Sequence, residues 1–79
     1  MKNTAAIDKI ISALAYRDYR AYNPVNADGR PKYKSHRPYS LSPETNEARG
    51  IKSAYLADKI TEAEYKAYCL RYNLTHRDA

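Results

Sequence analysis

The first hydrophobic pattern in the chain has the spacing of a helix. Four aliphatic side chains occupy positions i, i+3, i+4 and i+7: Ile7, Ile10, Ile11 and Leu14. Residues at this spacing lie on one helical face. Thr4 precedes them and belongs to the residue types that cap helix N-termini. The pattern therefore predicts an amphipathic helix over residues 4–22.

The periodicity stops in the next segment, residues 23–42, which is hereafter called the loop. Its sequence is NPVNADGRPKYKSHRPYSLS, and its three prolines disfavour a continuous helix or a central strand. Asp28 and Gly29 together predict a turn. We expect an extended or irregular connection, and a loop of this length in a small domain is typically either functional or disordered.

A second helix is predicted over residues 43–57. Ser42 is a good capping residue, and Pro43 suits the first helical position, where its fixed φ and missing N–H do no harm. Apolar side chains then mark one face of this helix: Ala48, Ile51 and Tyr55. The cap and the spacing agree on where this helix begins.

A third helix is predicted over residues 62–73. Thr61 and Glu64 match the capping box, in which each side chain accepts a hydrogen bond from the backbone N–H of the other residue. Four side chains then form an apolar stripe at i, i+3, i+4 and i+7: Tyr65, Tyr68, Cys69 and Tyr72. Residues 43–73 therefore form a helical hairpin.

The segment 50–74 resembles the short carboxy-terminal helical modules called SHOCT domains. Both have a helix, a turn that ends in Ile-Thr, and then a glutamate followed by an aromatic residue. The matching residues are Lys59, Ile60, Thr61, Glu64 and Tyr65. The resemblance covers about a third of the chain, and it implies oligomerisation or another protein contact.

The three helices predict an all-α fold in one small domain that spans residues 1–79. The aliphatic face of the first helix is expected to pack against the hairpin. A chain of 79 residues buries only a modest core. With one cysteine it has no internal disulfide, so we expect a homodimer to supply the missing stability.

Tyrosine is the only large aromatic residue in this chain, which has nine Tyr, no Phe and no Trp. Tyr is enriched at protein interfaces, although in a thin core it also takes the place of Phe. Tyr16 and Tyr19 point away from the aliphatic face of the first helix. We therefore predict that Tyr16, Tyr19 and Tyr68 lie at the homodimer contact.

The excess positive charge lies in the first 43 residues and is densest in the loop. The formal net charge is +5, and residues 30–39, RPKYKSHRPY, hold four cations and two tyrosines but no acid. The predicted partner-binding residues are Arg30, Lys32, Tyr33, Lys34, Arg37 and Tyr39. Such a segment can dock on an acidic protein surface, follow a nucleic-acid backbone while stacking on its bases, or simply keep a loop in solution.

The sequence carries no recognisable catalytic motif, and we predict neither an enzyme nor a bound cofactor or metal. Cys69 falls on an apolar stripe, where a cysteine usually acts as a small hydrophobe. His36 and His76 have no spacing to an acid or a nucleophile that indicates catalysis. No apolar run is long enough for a membrane helix, and the single thiol without a signal peptide favours the cytoplasm.

These features predict a small non-catalytic factor that binds another protein. Very short chains without catalytic motifs are typical of accessory proteins of phages and mobile elements. Many of those block a host protein, for example a component of defence or transcription. The leading hypothesis is stoichiometric inhibition of a host protein with an acidic surface. The alternative is nucleic-acid binding through residues 30–39.

Overall fold

A computed structural model describes residues 2–76 of the chain, so residues 1 and 77–79 of the predicted domain lie outside the described part. Three helices form one small domain: α1 (Ala5–Tyr22), α2 (Pro43–Leu56) and α3 (Glu62–Thr75). Residues 2–76 contain no strand, which confirms the all-α prediction, and every helix end lies within two residues of its predicted position. None of these helices has the length and apolarity needed to cross a bilayer.

The start of α1 is capped differently from the prediction. Thr4 occupies the N-cap position, but its hydroxyl donates to Asp8 Oδ2 at 2.9 Å instead of accepting from a backbone N–H. The Ile7 N–H donates instead to the hydroxyl of Tyr65, at 3.3 Å. A tyrosine from α3 therefore satisfies one of the free N–H groups at the N-terminus of α1.

The hairpin of α2 and α3 is closed by local signals. Ser42 Oγ accepts from the Thr45 N–H at 3.3 Å, which confirms the predicted cap of α2. Thr61 and Glu64 form the complete capping box of α3, with N–H···O distances of 3.0 and 3.1 Å. Between the helices Asp58 adopts a positive φ of 60°, and the next N–H bonds back to the carbonyl of Ala54 at 2.8 Å. This is a Schellman ending, which reverses the chain.

The core lies between the inner faces of all three helices. Its buried members are Ile7, Ile10, Leu14, Ala48, Tyr55, Tyr65, Tyr68 and Cys69. Ile11, Ile51, Ile60 and Tyr72 are partly buried against this cluster. The rings of Tyr55 and Tyr65 stack in parallel, with centroids 4.1 Å apart and planes 4° apart. The predicted packing of the aliphatic face of α1 on the hairpin is confirmed.

Ion pairs link the outer edges of neighbouring helices. Asp8 contacts Lys52 at 2.6 Å, Arg17 contacts Glu44 at 2.6 Å, and both pairs join α1 to α2. Hydrogen bonding to Lys52 lowers the pKa of Asp8, and hydrogen bonding to Arg17 lowers the pKa of Glu44. Exposed pairs of this kind add at most about 1 kcal/mol each, so they adjust helix placement more than they stabilise the fold.

Candidate functional site

The loop begins with a tight hairpin directly after α1. Val25 and Pro31 form an isolated antiparallel bridge, and the Lys32 N–H donates to the Pro24 carbonyl at 3.0 Å. Gly29 turns the chain with a φ of +86°, which few residues other than glycine adopt. The predicted turn at Asp28-Gly29 is therefore present, and it presents Arg30 with a side chain that is 84% exposed.

Asn23 holds the middle of the loop against the end of α1. This residue is 6% exposed, and its side-chain amide bonds to both backbone groups of Arg37. Its Nδ2 donates to the Arg37 carbonyl at 2.9 Å, while its Oδ1 accepts from the Arg37 N–H. A buried amide with both its groups paired fixes the backbone of Arg37 and leaves the guanidinium exposed.

An aromatic cluster makes a second contact between α1 and the loop. The Tyr19 hydroxyl and His36 Nδ1 share a hydrogen bond at 2.5 Å. The rings of Tyr19 and Tyr39 pack edge to face, with their centroids 5.6 Å apart. Tyr19, which was predicted at the dimer contact, is therefore half-buried beneath the loop.

Asp18 makes the third contact, at the far end of the loop. Its carboxylate is 6% exposed and accepts from the Ser42 N–H at 2.9 Å and from Thr45 Oγ1 at 2.6 Å. The Ser42 backbone bond, together with the Thr45 hydroxyl, holds the pKa of Asp18 below its ordinary value. This carboxylate couples the last turn of α1 to the start of α2 and so fixes where the loop ends.

The loop cations differ in their surroundings. Arg30 lies 3.7 Å from Asp28, whereas Lys32, Lys34 and Arg37 form no ion pair within residues 2–76. Tyr33 is close to two of these cations, with Arg37 5.0 Å and Lys32 5.8 Å from the centroid of its ring. The loop thus places two exposed cations beside one tyrosine, and no carboxylate of residues 2–76 forms an ion pair with either of them.

Arg20, which was not among the predicted partner-binding residues, extends this basic surface onto α1. Its guanidinium lies 5.3 Å from the ring centroids of both Tyr16 and Tyr19, and its Nε donates to the Tyr16 hydroxyl at 3.0 Å. The sequence could have indicated this contact, because Tyr16 and Arg20 are four residues apart and are therefore neighbours on one helix. A cavity of about 110 Å³ beside Arg20 is also lined by Tyr19, Tyr33 and His36, so helix and loop form one surface.

The three tyrosines expected at a homodimer contact have different environments. Tyr16 is 60% exposed, Tyr19 lies under the loop, and Tyr68 is 6% exposed within the core of a single chain. Tyr68 cannot reach a second copy in this packing because its own helices cover it. The stripe to which it belongs faces inward, and only Tyr16 keeps a largely exposed ring.

The cysteine and the two histidines are buried or in contact with other side chains of residues 2–76. Burial raises the pKa of the Cys69 thiol, which disfavours the reactive thiolate. His36 bonds to Tyr19, and His76 lies 2.9 Å from Glu44. Within residues 2–76, no three of the histidine, cysteine and acidic side chains come together as a metal site would require.

An open groove of about 1030 Å³ runs between the start of α1 and the start of α3. Tyr55, Tyr65 and Cys69 are among its lining residues. The charged residues along it are paired with one another, Lys2 with Asp58 and Lys66 with Glu62. The charges along the groove therefore balance, whereas those of residues 30–39 do not.

Comparison with known proteins adds no relative from which a role can be transferred. No family model, curated protein or solved structure matches the chain. The resemblance to SHOCT modules therefore rests on the residues of the α2–α3 turn and the capping box alone.

Proposed function

We propose that the protein is a non-catalytic factor that uses the basic surface of its loop to bind an acidic surface on another protein. The observation that carries this proposal is that Lys32, Lys34 and Arg37 are exposed without an ion-pair partner in residues 2–76. Single unpaired cations also occur on the helices, but here three of them lie within six residues of one another, and residues 30–39 contain no acid. Such a concentration of positive charge is suited to an external partner. Complementary charge would steer the encounter and fix the orientation of the complex.

The attachment of the loop to α1 also favours a binding role. Contacts through Asn23, Tyr19 and Asp18 hold the backbone of the loop while its cationic side chains stay exposed. A segment already held in place loses less conformational entropy when it binds, so more of the interaction energy remains as affinity. An unattached basic tail would have no such advantage.

The proposed mechanism is stoichiometric blocking of the partner. The chain is small, and its reactive groups are buried or engaged, so occupation of a surface is the mode of action that its chemistry supports. We keep the hypothesis of a phage-like accessory inhibitor acting on a host protein, such as a component of defence or transcription. In this hypothesis the protein acts inside the cell, in the cytoplasm.

Nucleic-acid binding is the second candidate, because exposed cations follow one another closely along residues 30–37. Sequence-tolerant binding of single strands usually needs aromatic faces on which bases can stack. Here Tyr33 is close to Lys32 and Arg37, and Tyr39 packs its ring against Tyr19. These contacts occupy aromatic surface that bases would need, and they favour the protein partner.

Two variants of equal charge test the proposal. The loop variant replaces three exposed loop cations by alanine: Lys32, Lys34 and Arg37. The control variant replaces three exposed cations on the helices and their turn that also form no ion pair within residues 2–76: Lys9, Arg49 and Lys59. Both lose the same formal charge, so any difference between them reports the position of the charge.

The probes are a polyglutamate peptide, standing for an acidic protein surface, and a single-stranded oligonucleotide of equal charge. We expect wild type and control variant to bind the peptide, and the loop variant to bind at least about tenfold more weakly. Tighter binding of the oligonucleotide than of the peptide, with an affinity that falls steeply with salt, would instead support the second candidate. Equal affinities of the two variants for both probes would refute a role for the loop.

A further inference from the structure

Helix α3 carries a second apolar stripe that the core does not use. Its members are Ala63, Ala67, Leu70 and Leu74, and this set is called the outer stripe. At 100° per residue it lies on the side of α3 opposite Tyr65, Tyr68 and Tyr72. All four residues are exposed, and Leu70 and Leu74 are each 61% exposed. A surface helix normally carries polar residues on the side facing water.

The outer stripe has the spacing of a helix–helix seam. Its intervals of four, three and four residues are those of the a and d positions in a coiled coil. A shallow groove of about 350 Å³ runs beside it, between α2 and α3, and Ile51, Ile60 and Ala67 are among its lining residues. A second helix laid along the stripe would cover these aliphatic groups as well.

The sizes of the four residues fit a second copy of α3 in antiparallel orientation. With a twofold axis between residues 67 and 70, Leu70 faces Ala67 of the second copy, and Leu74 faces Ala63. Each pair of facing residues then has one large and one small side chain, so the interface is filled evenly along its length. A parallel pair would instead oppose alanine to alanine and leucine to leucine, and its layers would alternate between thin and crowded.

The charges that flank the outer stripe favour the same orientation. Glu64 and Arg71 lie on one side of it and Lys66 on the other, and all three are exposed. In the antiparallel pair Glu64 faces Arg71 of the second copy, and the twofold axis produces this contact twice. In a parallel pair Lys66 would face Arg71, and two like charges would repel each other.

We propose that the outer stripe is a self-association surface, through which two copies of the chain pack α3 against α3 in antiparallel orientation. This contact is separate from the basic loop and replaces Tyr16, Tyr19 and Tyr68 as the site of a homodimer. One pair of 14-residue helices buries less than the roughly 800 Å² per partner of a standard interface. A contact below the standard size is typical of weak association, so we expect the dimer to form only at high protein concentration.

Sedimentation over a range from micromolar to millimolar protein tests the interface. We expect the wild-type mass to rise from monomer to dimer, and Leu70→Lys to keep the chain monomeric throughout. Leu56→Lys is the matched control because Leu56 is also half-exposed, at 50%, but lies on α2 outside the stripe. A wild type that stays monomeric, or a dimer that survives Leu70→Lys, would overturn the proposal, and circular dichroism checks that each variant folds.

A charge cycle tests the orientation. Arg71→Glu would place two carboxylates opposite each other, and we expect the dimer dissociation constant to rise about tenfold or more. Glu64→Gln removes one of those carboxylates while keeping a residue suited to the capping box. In that background Arg71→Glu should have a clearly smaller effect. Equal effects in both backgrounds would overturn the antiparallel contact.

Discussion

The charged side chains of the helices and those of the loop have different surroundings. On the helices, acids meet bases from a neighbouring helix, as in Asp8 with Lys52 and Arg17 with Glu44. In the loop, Lys32, Lys34 and Arg37 have no such partner within residues 2–76. Lys9, Arg49 and Lys59 are also unpaired within residues 2–76 but stand singly in the sequence. The three loop cations lie within six residues of one another and leave a concentrated positive charge available to another molecule.

The two regions also differ in how their tyrosines are used. Tyr55, Tyr65 and Tyr68 are buried, and they fill the core that phenylalanine would fill in another protein. Tyr33 and Tyr39 are 39% and 40% exposed and lie among the loop cations. One residue type therefore serves both packing and surface, because its ring is apolar and its hydroxyl can be hydrated or bonded.

The largest expected effect concerns the core of the helical region. Leu14 is 2% exposed in the core, so Leu14→Ala should lower the free energy of unfolding by about 2–5 kcal/mol through lost burial and the cavity left behind. Chemical denaturation measures this change. Leu56→Ala, at a half-exposed leucine, is the control and should cost about 0.5 kcal/mol or less. Similar losses at both positions would contradict the assigned core.

Asp18 joins the end of α1 to the start of α2, and its carboxylate should make the free energy of unfolding depend on pH. Because its pKa is lowered in the folded state, its ionised form contributes stability above the unfolded pKa of about 3.9, and this contribution is lost as the pH falls through the folded pKa. Asp18→Asn should therefore be less stable than wild type near neutral pH. The difference should shrink in acid. A difference that stays constant with pH would contradict the role of the carboxylate.

Tyr65 tests whether a tyrosine hydroxyl has a structural role. Tyr65→Phe removes the acceptor of the Ile7 N–H, and we expect a loss of about 1 kcal/mol in the free energy of unfolding. Tyr33→Phe is the matched control in the loop, where the hydroxyl bonds to no other group of residues 2–76, and it should leave stability unchanged. If both variants unfolded alike, the hydroxyl of Tyr65 would not cap α1.

Local signals made the helices predictable from the sequence. Ser42 and Thr61 cap α2 and α3 as expected, because each such signal acts within four residues. The contact of Tyr65 with Ile7 joins residues 58 positions apart, and no rule of spacing predicts it. The stripe of Tyr68 does not tell by itself whether a neighbouring helix or a second chain covers it, and in the single chain Tyr68 is buried in the core.

The basic residues of the candidate site could be predicted from the sequence, but the contacts that hold the loop against α1 could not. The basic residues 30–39 stand out in the sequence, whereas the residues that hold them, Asp18 and Asn23, are polar side chains near the end of a helix. Their partners lie 14 to 27 residues away. The outer stripe was hidden for another reason, since the tyrosines of α3 formed a stronger pattern on the opposite side.

The most direct test uses the loop variant, which should change binding while changing stability very little. The loop variant should unfold within about 0.5 kcal/mol of wild type, yet fail to retain the protein that wild type captures from a lysate of its source cells. The control variant, with the same loss of charge, should retain that protein at the wild-type level. Retention by the loop variant equal to that of the control would contradict the central claim that the loop binds the partner.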